Sequence, residues 1–420
     1  MRRIADLLLC LVLAAAGCSD ESIADPPSED TAPETSEDIT EPPAPDSRAG
    51  IDAAEEPPEG SLGTFTIEVG PFLVNPGEEI TRCAYAKVPH DFPTDLTRLQ
   101  STMNEGCHHM NLYLSFVPHE DGTAVKCGPE TMTSLIAYGA QTTEEQVTLP
   151  EGIGLPLAAE QQLVLEAHYI NVSQEPIEAR GEVTLTLFEP DILEEHAGVM
   201  AFFPNQIQVP PFESAVSTTR CVFPFDAELF VMNSHMHHFG TLFEAFVVDA
   251  SDAPETKVAI YSNDDWHRPE YKVLDHGEMI PVKAGDLGEF SCHYTNDTAD
   301  TVYRGGSAET DEMCIFGGAY KPFHGILLCQ DEATECHPAA QEVTAQEDLI
   351  CPSFGPCLLN CPSLAPSCWN CCLPHMDLPC MACVQEVLGC ALTSGCGQGL
   401  GFDFNCILGA CSEEISGCLL

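Results

Sequence analysis

The sequence predicts an all-β protein: two consecutive sandwich-like domains followed by a small cysteine-rich module. Three observations carry this prediction. First, short apolar or alternating runs recur from about Leu62 onward: TFTIEV, CAYAKV, MNLYLSFV, QQLVLEAHYI, EVTLTLF, ELFVMNSHMH, TLFEAFVVD and KVAIYS. Each is bounded by Gly, Pro, Asn or Asp, the punctuation of short strands in sandwiches or barrels. Second, no long helical period appears before the tail, and the strand-rich stretch is long enough for two sandwiches, with a break expected near Glu189 and Pro190. Third, cysteines crowd residues 351–418. There the run CVQEVLGCALTSGC reads as a short helix within a disulfide-stapled module.

The segments follow in order. Residues 1–18 carry a basic MRR and a short apolar run ending in AAAGC, too short to span a bilayer. This reads as a signal peptide whose ending resembles the lipobox of bacterial lipoproteins. Cys18 would then be the lipidated first mature residue, although Asp6 and Ala15 depart from the usual pattern. Ser19 after that cysteine favours the outer membrane. Residues 19–60 are rich in Pro, Glu, Asp, Ser and Thr and nearly free of large apolar residues, which predicts an extended tether. Residues 61–189 and 190–345 form the two β domains, and 346–420 the cysteine-rich module.

Charge and cysteine content bound the function. The 420 residues carry 15 Lys and Arg against 66 Asp and Glu, a formal charge of −51. Such a surface repels nucleic acid and anionic membranes, leaving the lipid as the expected membrane contact. An exported chain forms disulfides. Of 23 cysteines, setting aside Cys10 in the signal and Cys18 as the anchor leaves an odd number, so one thiol is expected without a partner.

The histidines carry the chemistry. His108 and His109 are adjacent at the start of a strand-like run, GCHHMNLYLSF. On a regular strand they would point to opposite faces, so either one faces the core or the strand is bent and both converge. His168 lies in another run, VLEAHYIN. His235 and His237, at i and i+2 in NSHMHHFG, share one strand face, and His238 points away. Met313 precedes Cys314 in a polar loop. A lone strand histidine is more often structural than a ligand, and a loop methionine usually carries no function.

Taken together and in order, HHM, LPEGIGLPLA, VLEAHY, HMHHFG and DEMC resemble the copper type II, ascorbate-dependent monooxygenase family, with CAYAKVP and FSCHY also matching. The resemblance covers roughly residues 64–322. It implies two jelly-roll-like β-sandwiches and two coppers per chain. His108, His109 and His168 would hold the first copper, which stores and passes an electron. His235, His237 and Met313 would hold the second, where O2 binds and a substrate C–H bond is attacked. The ligand types fit this independently: imidazole suits copper in both redox states, and a thioether favours Cu(I). The resemblance also implies disulfides Cys83–Cys127 and Cys292–Cys314. Cys221 is expected to pair downstream, with Cys329 or Cys336, and Cys107 is the candidate for the odd thiol.

One departure bears on substrate. Peptide-amidating members hold a substrate carboxylate with an Arg shortly before the HxH pair and with Asn and Tyr after the Met. Here the corresponding residues are Asn233, Ile315 and Gly317, so a charge-assisted clamp is missing. The expected substrate is a small organic molecule, neutral or cationic, oxidised with O2 and an external donor. The field of −51 disfavours anionic ascorbate, so a neutral quinol or a cationic redox protein is an alternative reductant. Competing readings are a copper-binding or copper-storage lipoprotein without turnover, a non-haem iron oxygenase built on His276 and Glu278 in DHGEM, and a structural or carbohydrate-binding sandwich. Two CxxC pairs in CWNCCLPHMDLPCMAC, with His375 and Met376 between them, raise zinc or Cu(I) as an alternative to disulfides in the tail.

Overall fold

The structure is a computed structural model. It describes residues 58–330 apart from 116, 123, 128–134, 205, 250, 252–255 and 306. In the tail it describes 335–336, 350–354, 356–357, 370–398, 401–402, 406 and 409–417. The expected signal segment, Cys18 and nearly all of the tether lie outside the described residues. Among those described, no helix is long and apolar enough to cross a membrane.

The chain is mostly strands, arranged as two pairs of sheets. In the first pair, one sheet runs Gly63–Val74, Ile177–Phe188, Thr94–Met103, Ile153–Leu157, Glu195–His196, with Glu144–Thr148 also on Thr94–Met103. Its partner runs Ala124–Val125, Glu79–Lys87, Gln162–Ile170, Cys107–Ser115, Leu135–Ala140. The period-2 pattern decides what faces inward. Ile67 and Val69, Val183, Leu185 and Leu187, and across from them Leu112, Leu163 and Leu165, form one buried core.

The chain crosses to the second pair after His196, because Glu195 still pairs with Ile153 while Gly198–Phe203 lies in the next sheet. That sheet runs Lys272–Val273, Ala227–Met236, Cys314–Lys321, Gly198–Phe203, Ile326–Gln330. It faces Ser214–Val222, Leu287–Thr295, Gly240–Asp249, Thr256–Asn263. Between the two sheets Phe202, Phe243, Phe290 and Phe316 pack with ring centroids 5.9–6.5 Å apart, the spacing of offset and edge contacts.

The cysteine-rich tail does not keep a core to itself. Phe354, Leu373, Met376 and Val384 belong to the same buried cluster as Phe202 and Tyr320. Disulfides Cys336–Cys371, Cys351–Cys380 and Cys357–Cys372 hold the tail there, and Cys390–Cys411 and Cys396–Cys406 staple its far end around helix Leu378–Thr393. Cys383 is also disulfide-bonded. The three described cysteines of the two CxxC pairs, Cys371, Cys380 and Cys383, therefore offer no thiolate to a metal. Cys368 lies outside the described residues.

Candidate metal centre

The adjacent histidines are explained by a bulge. Strand Cys107–Ser115 pairs with Gln162–Ile170, but the register slips between Cys107, opposite Tyr169, and His109, opposite His168. One extra residue, His108, is accommodated there, and a bulge re-aims the side chains around it. The result is convergence: one ring nitrogen from each of His108, His109 and His168 lies within 4.8 Å of the others. The Nδ1 atoms of His108 and His109 are 2.9 Å apart. Two nitrogens about 2.0–2.1 Å from one metal and roughly at a right angle have that separation.

The remaining ring nitrogens support this. His168 donates from Nε2 to Glu79 at 2.8 Å, which leaves Nδ1 as its uncommitted nitrogen. A carboxylate behind a histidine is the usual partner of a metal ligand, fixing tautomer and ring orientation. His108 Nε2 is buried with no hydrogen-bond partner. Burial, with His109 and His168 close by, lowers His108 to a pKa of about 3, and burial also lowers His168. These imidazoles are therefore neutral at physiological pH, the form that ligates metals.

The second group is built on strand Ala227–Met236 and the turn after it. His235 and His237 have ring centroids 5.1 Å apart, whereas His238 is exposed. His235 donates from Nδ1 to Gln141 Oε1 at 3.1 Å, and His237 donates from Nδ1 to the Asp311 carbonyl at 3.1 Å. His235 therefore keeps Nε2 uncommitted, and the His237 ring also has the Ser307 backbone beside it. Burial pushes His235 well below its ordinary pKa and His237 down to about 4, against the pull of the Asp311 carbonyl.

Met313 is brought to this group by register and by one buried carboxylate. Met236 pairs with Cys314, so the next position on each strand, His237 and Met313, fall together. Glu312, fully buried, accepts at Oε2 from the backbone N–H of His237 (3.0 Å) and of Met313 (3.1 Å), and at Oε1 from that of Phe239. Burial raises Glu312 to a pKa of about 7, opposed by these backbone donors. The Cys292–Cys314 disulfide, S–S 2.10 Å, ties the end of the same loop to the facing sheet.

The two groups meet. His109 and His235 have ring centroids 6.4 Å apart, although they sit on different sandwiches. The seam is held by Tyr271, whose hydroxyl accepts from the Gly139 N–H and donates to its carbonyl, and which stacks on Tyr138. Gln141 adds to it: it accepts from His235 and donates to the Trp266 carbonyl at 3.4 Å. Trp266 in turn lies 6.2 Å from His108 and 5.8 Å from His238, centroid to centroid. Glu79, Gln141, Trp266, Tyr271 and the Asp311 carbonyl had no signal in the sequence, because their roles arise from contacts between distant segments. Glu312 did have one, an acidic residue directly beside a candidate ligand.

The other sequence candidates separate from these groups. His276 and Glu278 are exposed, and His276 Nε2 bonds to the Glu151 carbonyl at 2.7 Å, so the HxE pair is a surface turn. Cys83–Cys127 and Cys221–Cys329 are disulfides, and Cys336 pairs with Cys371. Cys107 is the free cysteine among the described residues. Burial raises its thiol to a pKa of about 12, and it donates to the His109 carbonyl, so it stays protonated rather than joining the ligands.

Residues 195–340 match the family model described as copper type II ascorbate-dependent monooxygenase, C-terminal domain. Over 305 residues the chain is 25% identical to the dopamine beta-hydroxylase of Equus caballus, covering 63% of this chain and 48% of that protein. The chain thus spans about half the length of the curated relative it matches. Over residues 195–340 it is similar to the C-terminal domain of the copper type II ascorbate-dependent monooxygenases. Among solved structures, the STIV MCP is 10% identical with a TM-score of 0.27, covering 61% of this chain and 96% of that one. The major capsid protein P2 from bacteriophage PM2 is 8% identical with a TM-score of 0.27, covering 62% and 98%. Likeness at that level carries no argument about this chain.

Gln141 offers a direct test of the seam. Gln141→Leu keeps the bulk and removes the acceptor behind His235. Loss of an outer-shell partner typically costs 10–100-fold in metal affinity. If the two groups bind copper, the metal at His235 and His237 should bind about tenfold more weakly and that at His108, His109 and His168 should be unchanged, as read by competition with a chelator.

Proposed function

We propose that this chain is a copper-dependent monooxygenase that hydroxylates a C–H bond of a small organic substrate, using O2 and an external one-electron donor. The single observation that carries this reading is the meeting of two unlike ligand groups, His109 of one and His235 of the other being 6.4 Å apart. A storage site has no need of two different donor sets face to face. Copper bound at the two groups would supply O2 and electron chemistry that no side chain offers.

The chain's own residues set the stage. Burial keeps the imidazoles of His108, His168, His235 and His237 neutral, so these four need no deprotonation to bind. Glu79, Gln141 and the Asp311 carbonyl fix ring orientation, and Glu312 locks the His237 and Met313 backbones to each other. His108, His109 and His168 are the proposed electron-storing ligands; His235, His237 and Met313 are the proposed ligands where O2 and substrate meet.

The bed beside His235 supports a neutral or cationic substrate. Asn233 pairs with Gly317, and His235 with Ile315, on adjacent strands. A Cβ built at Gly317 meets nothing within 4 Å, so the position opens onto free space. None of Asn233, Ile315 and Gly317 can form an ion pair with a carboxylate, and glycine-extended peptides are expected not to be amidated.

Copper per chain tests the reading. Protein loaded aerobically with Cu(II) and desalted should hold two coppers by elemental analysis and fewer in a His108→Ala, Met313→Ile double variant. Two coppers with substrate-coupled O2 uptake would carry the proposal. Two coppers without such uptake across a broad panel would favour a copper-binding lipoprotein, and none would remove both readings. The reductant is separately testable. With a charge of −51, ascorbate should reduce the bound copper faster at high than at low ionic strength, and the reverse dependence would contradict a repulsive field. We further propose that the chain is exported and lipid-anchored through Cys18, its disulfides fitting an oxidising compartment.

A further inference from the structure

The cysteine-rich tail docks on the second sandwich at one glycine, where two thioether side chains meet. Gly325 precedes strand Ile326–Gln330, in a left-handed conformation with φ +83°. Its carbonyl accepts from the Tyr320 hydroxyl at 3.1 Å and from the Val199 N–H at 3.3 Å, so its position is fixed. A Cβ built on it would lie 2.9 Å from Met376 Sδ and 2.9 Å from Met381 Cε. Both thioether side chains therefore reach the same small area.

Each is flanked by a histidine. His324 is the residue before Gly325 and lies half-buried with its ring 4.4 Å from Phe225. His375 is the residue before Met376 and is exposed. Because Met376 meets Gly325, the residues before each, His375 and His324, are brought to the same junction. The surroundings are rigid: Cys336–Cys371 and Cys357–Cys372 clamp the turn Asn370–His375, Cys351–Cys380 clamps the start of helix Leu378–Thr393, and Asn370 donates to the Leu328 carbonyl.

We propose that His324, His375, Met376 and Met381 form a third metal site in this chain, selective for Cu(I). Thioethers with imidazoles are a soft donor set that prefers Cu(I) over zinc or harder cations. The set also suits an oxidising compartment, because it needs no thiolate, and the described tail cysteines are already consumed in disulfides. Packing alone accounts for Met376, which is buried, but not for the exposed His375 beside it.

The site is separate from the two histidine groups. Val231, Ala319, Val199 and Ile326 lie side by side across the sheet. His324 is thus three strand spacings across and six residues along from His235, on the order of 25 Å. The proposal does not rest on the monooxygenase reading, and the test keeps the two apart.

The experiment is an anaerobic Cu(I) titration of the full folded chain, without its signal segment, against a chromophoric Cu(I) chelator. The parent should bind one Cu(I) more than a Met376→Leu, Met381→Leu variant, in which leucine keeps the volume and removes the sulfur. The same difference of one should persist when both proteins also carry His108→Ala and His237→Ala. Sulfur scattering in copper X-ray absorption should fall in the Leu variant. Equal Cu(I) counts in parent and Leu variant overturn the proposal, whatever the histidine groups bind. If the Leu variant fails to fold, His375→Ala, which alters an exposed side chain, decides the matter: the last equivalent should weaken at least about tenfold, and unchanged affinity overturns the proposal equally.

Discussion

His237→Ala should lower Cu(II), loaded in air so that the Cu(I)-selective tail site stays empty, from two per chain to one and depress substrate-coupled O2 consumption by more than about 100-fold. The bound is set by comparison: changes behind a ligand cost 10–100-fold, and the ligand itself should cost more. His237 is nearly fully buried, and its ring is neutral, its pKa pushed by burial to about 4. Its loss removes one imidazole from a group in which the other, His235, sits 5.1 Å away. The three-histidine group should keep its metal, because its ring orientations are set by Glu79 and by the bulge at His108, not by His237. The variant should therefore show a reducible copper without turnover. Exposed His238 is the control: His238→Ala should leave copper at two per chain. Turnover in His237→Ala close to the parent's would sink the assignment of chemistry to this group.

The legibility of this centre in the sequence was uneven, for physical reasons. Side-chain periodicity of 2 is a local property, so His235 and His237 could be placed on one face from spacing alone. The pair His108 and His109 could not, because the answer depends on a bulge, and a bulge is a property of two paired strands. Strand Thr94–Met103 shows the same limit in the fold. It lies inside its sheet, yet its sequence, TDLTRLQSTM, has no apolar alternation. Asp95 and Arg98 are buried there, Asp95 against His196 at 3.1 Å and Arg98 against Thr186 at 3.3 Å. A polar residue whose partner is about a hundred positions away looks like a loop residue until the partner is found. The outer partners of the ligands are hidden in the same way: one is Gln141 of the other sandwich, and another is the Asp311 carbonyl, which any residue type would supply.

Glu312 is where the largest stability effect is expected. Its two oxygens accept from the backbone N–H groups of His237, Phe239 and Met313, all in a fully buried setting. Glu312→Ala leaves these three donors without a partner and opens a small cavity. At about 1–3 kcal/mol for each unsatisfied buried donor, the loss should be at least about 3 kcal/mol. A domain of this size loses roughly 2–4 °C per kcal/mol, so Tm should fall by about 6–12 °C. Glu312→Gln is not conservative here, since an amide presents a donor where the carboxylate presented a second acceptor. It must lose the Phe239 contact or the pair to His237 and Met313, and should cost about 1–3 kcal/mol. Both variants should also weaken copper at His235, His237 and Met313 while sparing the three-histidine group, because the carboxylate is what holds the His237 and Met313 backbones at one distance. A scanning calorimetry trace together with copper counts separates the two effects. Lower Tm with copper affinity unchanged would make Glu312 a loop anchor only, whereas weaker copper in Glu312→Gln at a nearly native Tm would identify it as the residue that positions the ligands.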